Sequence, residues 1–228
     1  MIETIHLISG GGSTSAAVWE AQQPGQLLHG LVKTVAVVTS APEKGGLDLI
    51  VERGFPKEDT YVADPEGDLT SQLLRIFGRY ELDYFHQLGW MPQTPKEVIL
   101  RYNGLNQHLG HGGRWMYGIR RVYTHMRFCE ATGKKWPIPI FCQKVHQEYD
   151  KGDVLFVRYE AWWKLGETPE EVARALLPIE HEVQIEALHR IARGNLKTYL
   201  VSQLARTQEE RELLETLKKE ARDRYPVR

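Results

Sequence analysis

Asn106, His108 and Asp150 are the residues of this chain whose types and spacing suit chemistry at a carbonyl group. Asn106 and His108 are two apart in Gly104-Leu105-Asn106-Gln107-His108, a segment that reads as an extended strand, so their side chains share a face. Further on, Tyr149-Asp150-Lys151-Gly152-Asp153 separates two runs rich in β-formers, and a loop there can aim the Asp150 carboxylate at His108. An amide and a protonated imidazole stabilise an oxyanion, while a carboxylate orients the imidazole, holds its charge and helps to remove a proton. That set suits acyl transfer. Asn and His near a strand end are also ordinary structural hydrogen-bond partners, and the residue types alone leave both readings open.

The elements that must position these groups alternate in type. Strand patterns fall at 4–9, 32–39, 60–63, 82–88, 105–109, 138–145 and 154–161. The second is a continuous β-branched run, as in a strand covered on both faces. Helix patterns fall at 13–22, at 46–53 with Gly54 and Pro56 as stop signals, and at 69–80 with Asp68 as N-cap. Thr94 reads as the cap of another helix, with Pro95, Lys96 and Glu97 in its first turn, and a helix over 116–130 follows a glycine-rich loop at 110–113. Thr168-Pro169-Glu170-Glu171 opens a long amphipathic helix reaching Arg193, with a kink expected at Pro178. Such alternation predicts an α/β fold, a mostly parallel, doubly wound sheet flanked by helices. Residues 1–200 form the expected catalytic domain. Residues 201–228 read as a charged helical extension, a surface helix or frayed tail in which Leu204, Leu213, Leu214 and Leu217 are sparse anchors.

At 228 residues, 42% hydrophobic and 26% charged, the chain suits one good-sized domain. A net charge of -1 offers no strong basic field, which argues against nucleic acid as partner. Arg114, Arg120, Arg121 and Arg127 could make a local basic patch, and the simpler reading is a solvated helix face. The two cysteines, Cys129 and Cys142, form no Cys-x-x-Cys pair, and Cys142 with His146 lacks a second ligand pair, so neither a metal site nor a disulfide framework is expected. No secretion signal or membrane-length apolar run is evident, and a reducing cytoplasm fits. Gly10-Gly11-Gly12-Ser13-Thr14 follows the first strand and opens the first helix, a place where backbone N–H groups can meet a phosphate. It lacks the lysine of a P-loop and the full dinucleotide fingerprint, which disfavours ATP and NAD.

Over residues 4–194 the chain resembles the folate-dependent formyltransferases. The resemblance is carried, in the family's order, by Leu7-Ile8-Ser9-Gly10-Gly11-Gly12-Ser13, Val38-Thr39-Ser40, Gly46-Leu47, Gly54-Phe55-Pro56, Leu88-Gly89-Trp90-Met91, Asn106-x-His108, Asp150-x-Gly152 and Glu180-His181. The last pair looks like the branch that acts on glycinamide ribonucleotide. The resemblance implies a Rossmann-like formyltransferase fold and transfer of a formyl group from 10-formyltetrahydrofolate to a small primary amine. The implied acceptor is a phosphorylated amine, glycinamide ribonucleotide of purine biosynthesis. The resemblance further implies Asn106, His108 and Asp150 as catalytic residues, and Gly11, Gly12, Ser13 and Thr14 around the phosphate with Glu180 toward the amine. Met91, Pro92, Gln93 and Cys142 are the implied folate contacts.

Three departures from the family pattern bear on the substrate. Thr14 stands where an Asn is expected, Pro92-Gln93 replaces an Arg-Ile-Leu type of sequence, and Leu109-Gly110-His111-Gly112-Gly113 lacks the prolines that usually follow the catalytic His. The last departure puts the amine in question more than the formyl chemistry. Alternatives are a sugar-amine or methionyl-tRNA formyltransferase, a 10-formyltetrahydrofolate hydrolase, and a catalytically silent folate- or nucleotide-binding protein. No membrane partner is expected, and a homodimer is compatible with the sequence.

Overall fold

Two strands with little polar alternation, β1 (Ile2–Ile8) and β2 (Val32–Thr39), lie inside the sheet, where both faces are covered. A computed structural model describes residues 1–113, 115–148, 150–164 and 166–226, so Arg114 of the expected basic patch and Tyr149 of the Asp150 segment lie outside the described residues. The seven strands run in the order β3 (Thr60–Val62), β2, β1, β4 (Tyr84–Gln87), β5 (Asn103–Leu109), β6 (Ile138–Lys144) and β7 (Val154–Ala161). The strands from β3 to β5 pair in parallel, and β6 and β7 close the sheet antiparallel. The mostly parallel, doubly wound sheet expected from the alternation is therefore present, with a reversed edge that returns the chain alongside β5.

Successive β2 residues feed opposite layers, as strand geometry requires. Val37 packs with Val18 of α1 (Ser13–Glu20), Ile50 of α2 (Gly46–Glu52) and Leu188 of α6 (Pro169–Ala192). Val38 packs with Leu73 and Phe77 of α3 (Leu69–Phe77) and Val98 of α4 (Lys96–Arg101). Each fully buried Leu or Phe in these layers stabilises the fold by roughly 1.5–3 kcal/mol.

Local signals set the helix starts. Asp68 caps α3 by accepting from the Ser71 N–H at 3.0 Å, and Thr168 with Glu171 forms a capping box on α6. That helix continues through Pro178 to Ala192. Thr94 is not a cap. Pro95 holds the N-cap position of α4, and the Thr94 hydroxyl accepts from Gln87 Nε2 at 2.6 Å. Helix α5 (Ile119–Thr132) starts three residues later than its apolar pattern suggests, because Gly118 before it sits at φ 53°, ψ -136°, outside helical space.

The C-terminal segment is docked rather than frayed. Helix α7 (Gln208–Arg224) begins with a Thr207–Glu210 capping box, and Leu204, Ala205 and Leu217 bury themselves against Phe128 of α5. The buried Arg120 donates from Nε and Nη2 to the Tyr225 carbonyl, at 2.8 and 2.5 Å. Among the described residues no helix is long and apolar enough to cross a membrane.

Candidate functional site

A cavity of about 660 Å³ opens beside β4 and β5. Its walls are the turn after β4 from Gly89 to Thr94, Asn106 and Gln107 of β5, the segment leading into α5 with Arg121, and the chain around Gln143 and Asp150. Among the described residues no group of three or more His, Cys, Asp or Glu side chains is arranged to hold a metal ion.

Asp150 is brought to β5 by the β6–β7 connection. Its Oδ1 lies 2.7 Å from His108 Nε2 and 3.4 Å from Gln143 Nε2, and its Oδ2 accepts from the Gly113 N–H at 2.8 Å. Arg121 Nη2 stands 3.9 Å from Oδ1. Asp150 adopts φ 57°, a left-handed conformation that Asp tolerates better than most side chains. Two glycines make room for this arrangement. A Cβ on Gly112 would fall 2.2 Å from Asp150 Oδ2, and one on Gly152 would fall 1.7 Å from the Lys144 carbonyl oxygen. The prolines missing after His108 thus leave a turn that wraps the carboxylate. Burial alone raises the Asp150 carboxyl, but the donors at His108, Arg121 and Gly113 outweigh it and hold the group ionised, well below the ordinary carboxylate range.

His108 is fully buried and does not line the cavity. Its cross-strand neighbour on β6, Phe141, stacks on the ring with centroids 4.4 Å apart. Strand periodicity placed Asn106 and His108 on one face, and the antiparallel pairing of β6 then separates their exposure: Asn106 meets the cavity and His108 lies beneath Asp150. The His108 Nδ1 lies 2.9 Å from the Gly110 carbonyl, so both ring nitrogens face acceptors and only a doubly protonated ring satisfies both. Burial, then the Arg121 charge, lowers the ring's affinity for that second proton by more than Asp150 and Gly110 raise it, which brings His108 down to about 4. Protons are shared across the pair, and the titration belongs to His108 and Asp150 together.

Gly11, Gly12 and Ser13 form the turn into α1, with Gly12 at φ 70° packed against Gly46. The Ser13 hydroxyl lies 3.4 Å from His181 Nε2. Thr14 follows Ser13 and is buried. Met91, Pro92 and Gln93 line the cavity. Cys142 does not. It points into the core beside Leu105 and Leu155, where burial pushes the thiol up to about 12, and the next residue, Gln143, faces the cavity instead. Glu180 is buried behind Gln107, whose Nε2 donates to it. Burial pushes the Glu180 carboxyl up to about 7 against the opposing pull of Gln107 and Arg121.

No protein-family model matches the chain. A curated relative, the chloroplastic phosphoribosylglycinamide formyltransferase of Arabidopsis thaliana, is 29% identical over 204 residues; the match covers 83% of this chain and 65% of that protein. The chain thus spans a little under two thirds of the relative's length. The phosphoribosylglycinamide formyltransferase of Brucella melitensis superposes with a TM-score of 0.67 at 24% identity, covering 89% of this chain and 99% of that one. Glycinamide ribonucleotide transformylase 1 of Symbiobacterium toebii gives 0.67 at 20% identity, over 89% and 95%. The fold is the formyltransferase fold.

Within that fold, several side chains at the cavity carried no local signal. Arg121 read as part of a solvated basic patch, yet only 12% of its side chain is exposed and it lines the cavity. Gln107 lies between the two paired residues, where strand alternation turns a side chain to the opposite face, yet it shares the cavity wall with Asn106. Gln143 sits in a run whose sequence reads only as rich in β-formers. In each case the position follows from how β5, β6 and α5 pack together, and no spacing in the sequence reports it.

Proposed function

We propose that this protein transfers the formyl group of 10-formyltetrahydrofolate to a primary amine, with glycinamide ribonucleotide as the acceptor. The carrying observation is Asp150, held at 2.7 Å by the buried His108, on the wall of a cavity that Asn106 also lines. The amine lone pair attacks the formyl carbon, and the carbonyl π pair moves onto oxygen. The Asn106 amide meets that oxyanion. Asp150 takes the proton the amine gives up, with His108 holding its charge, and the proton passes to N10 of the folate as the C–N10 bond breaks. The turn at Met91, Pro92 and Gln93 and the wall at Gln143 border the folate. Gly11, Gly12 and Ser13 at the N-terminus of α1 hold the phosphate, with His181 beside them.

On this reading residues 1–200 are the catalytic unit and the segment from 201 is an extension laid on α5. A reducing compartment such as the cytosol suits the two buried free thiols. One observation favours a wider acceptor range: Glu180 sits behind Gln107, so an amine in the cavity meets Gln107 first. The test is a formyl-transfer assay of the whole chain with 10-formyltetrahydrofolate and a panel of glycinamide ribonucleotide, a nucleotide-linked sugar amine, methionyl-tRNA and water alone. Formylated glycinamide ribonucleotide by mass spectrometry is the expected result. Transfer only to the sugar amine would replace the acceptor, and folate binding without transfer to any of them would replace the enzyme reading.

A further inference from the structure

The wall of the cavity holds a buried cation that the Asn106, His108 and Asp150 set does not include. Arg121 lies in the first turn of α5, and its Nε donates to the Met116 carbonyl at 2.7 Å, which fixes the plane of the guanidinium. Nη2 approaches Asp150 Oδ1 to 3.9 Å, and among the described residues neither Nη group makes a hydrogen bond. A buried guanidinium with N–H groups open on a cavity is costly unless something in that cavity accepts from them. His108 cannot serve the cavity directly while both its nitrogens face Asp150 and Gly110. Lys144, the other Lys or Arg on the wall among the described residues, is half exposed and pairs with Asp153.

We propose that Arg121 is a catalytic residue of this protein, aligning the Asp150 carboxylate and donating an N–H to the oxyanion formed on the formyl group. The inference rests on the formyl-transfer reading. As the amine nitrogen bonds to the formyl carbon, the oxygen gains a full negative charge, which a fixed guanidinium stabilises in a water-poor site. As the C–N10 bond breaks, the carbonyl re-forms, the charge on oxygen disappears and Arg121 returns to its ground state. Nothing is consumed and no further reactant is needed. The ionisable groups around Arg121 are Asp150 from the β6–β7 connection, His108 from β5 and Glu180 from α6. The Arg121 charge disfavours the second proton on His108, so its removal should let the His108–Asp150 pair hold that proton to higher pH.

The experiment uses the full chain with Arg121→Met, Arg121→Lys and Arg121→Ala, each checked for a parental thermal melt. With 10-formyltetrahydrofolate and the accepted amine, Arg121→Met is expected to lower kcat by about a hundredfold or more while both KM values stay within about threefold. Arg121→Lys should recover part of the loss, and added guanidinium ion should recover part of it in Arg121→Ala. In parallel, the His108 ring nitrogens are followed by NMR against pH in the parent and in Arg121→Met, where the titration should move upward. A kcat within about threefold of the parent, or a loss carried by KM alone, overturns the catalytic role. An unmoved His108 titration overturns the coupling to the pair, and that readout decides the matter even if the parent transfers formyl to no amine, the outcome that sinks the formyltransferase reading itself.

Discussion

Two glycine-rich turns follow strands of the same sheet, one after β1 and one after β5, and they are held in different ways. The turn at residues 10–13 is a backbone object. Gly12 takes φ 70°, its Cβ position lies 2.8 Å from the Gly46 carbonyl oxygen, and α1 begins at once. The turn at 110–113 is held by groups remote in sequence. The Gly113 N–H meets Asp150, His111 Nε2 lies 2.8 Å from the Ser202 carbonyl, and the segment that follows is tied through Arg120 to Tyr225. The first turn rests on backbone packed against backbone, Gly12 on Gly46, whereas the second is held through side chains from remote segments. The difference teaches that glycine has two uses here: reaching a left-handed conformation at Gly12, and leaving space for another residue's carboxylate at Gly112.

The sharpest way to break the comparison is Gly112→Ala. The new Cβ would meet Asp150 at Oδ2, Cγ and Cβ, at 2.2, 2.5 and 2.8 Å, so rotation of the carboxylate does not relieve it. Displacing the Asp150 pair is expected to cut the proposed formyl transfer by about 10²–10³-fold, measured as kcat on a variant with a parental circular dichroism spectrum. Parental activity would mean that the turn does not shape the carboxylate.

Next comes Arg120→Met, which removes a buried guanidinium and leaves the Tyr225 carbonyl without its donors. A loss of about 2–4 kcal/mol in urea unfolding is expected. Hydrogen exchange should rise in 110–118 and in α7 while residues 10–13 keep their parental protection. Equal loosening of both turns would erase the distinction drawn between them.

Gly12→Ala tests the other turn. A left-handed Cβ pressed on Gly46 should destabilise by about 1–2 kcal/mol. It should raise the acceptor's KM and leave the folate's nearly unchanged, and the reverse ranking would move the phosphate away from α1.

The last test reads stability alone and concerns Glu180, whose folded carboxyl is raised to about 7 by burial. Between its unfolded value and about 7 the folded state binds more protons than the unfolded, so this group's contribution to stability falls as pH rises. Glu180→Gln is therefore expected to gain about 1–3 kcal/mol at pH 8 and almost nothing near pH 4.5, read as thermal melts at both. A gain independent of pH would show that packing, not ionisation, sets the cost.

Much of this protein is legible in its sequence by itself. Element order and type, the Asp68 and Thr168 caps and the glycine turn into α1 stand where the chain alone places them, while element ends such as the start of α5 shift by a few residues. The sequence also grouped Asn106, His108 and Asp150; Asn106 and Asp150 line the cavity, His108 lies beneath Asp150, and Gly152 is needed where the chain passes the Lys144 carbonyl. Tertiary structure decided the rest. Phe141 covers His108 because β6 runs antiparallel in one particular register, and the same register turns Cys142 into the core and Gln143 to the cavity. Arg120 and Arg121 are adjacent and alike in sequence, yet one reaches back to Tyr225 and the other toward Asp150. Their divergence, the burial of Glu180 behind Gln107 and the docking of α7 on α5 depend on which surfaces meet across long stretches of chain. Periodicity describes the face a residue occupies on its own element, and only packing determines what that face touches.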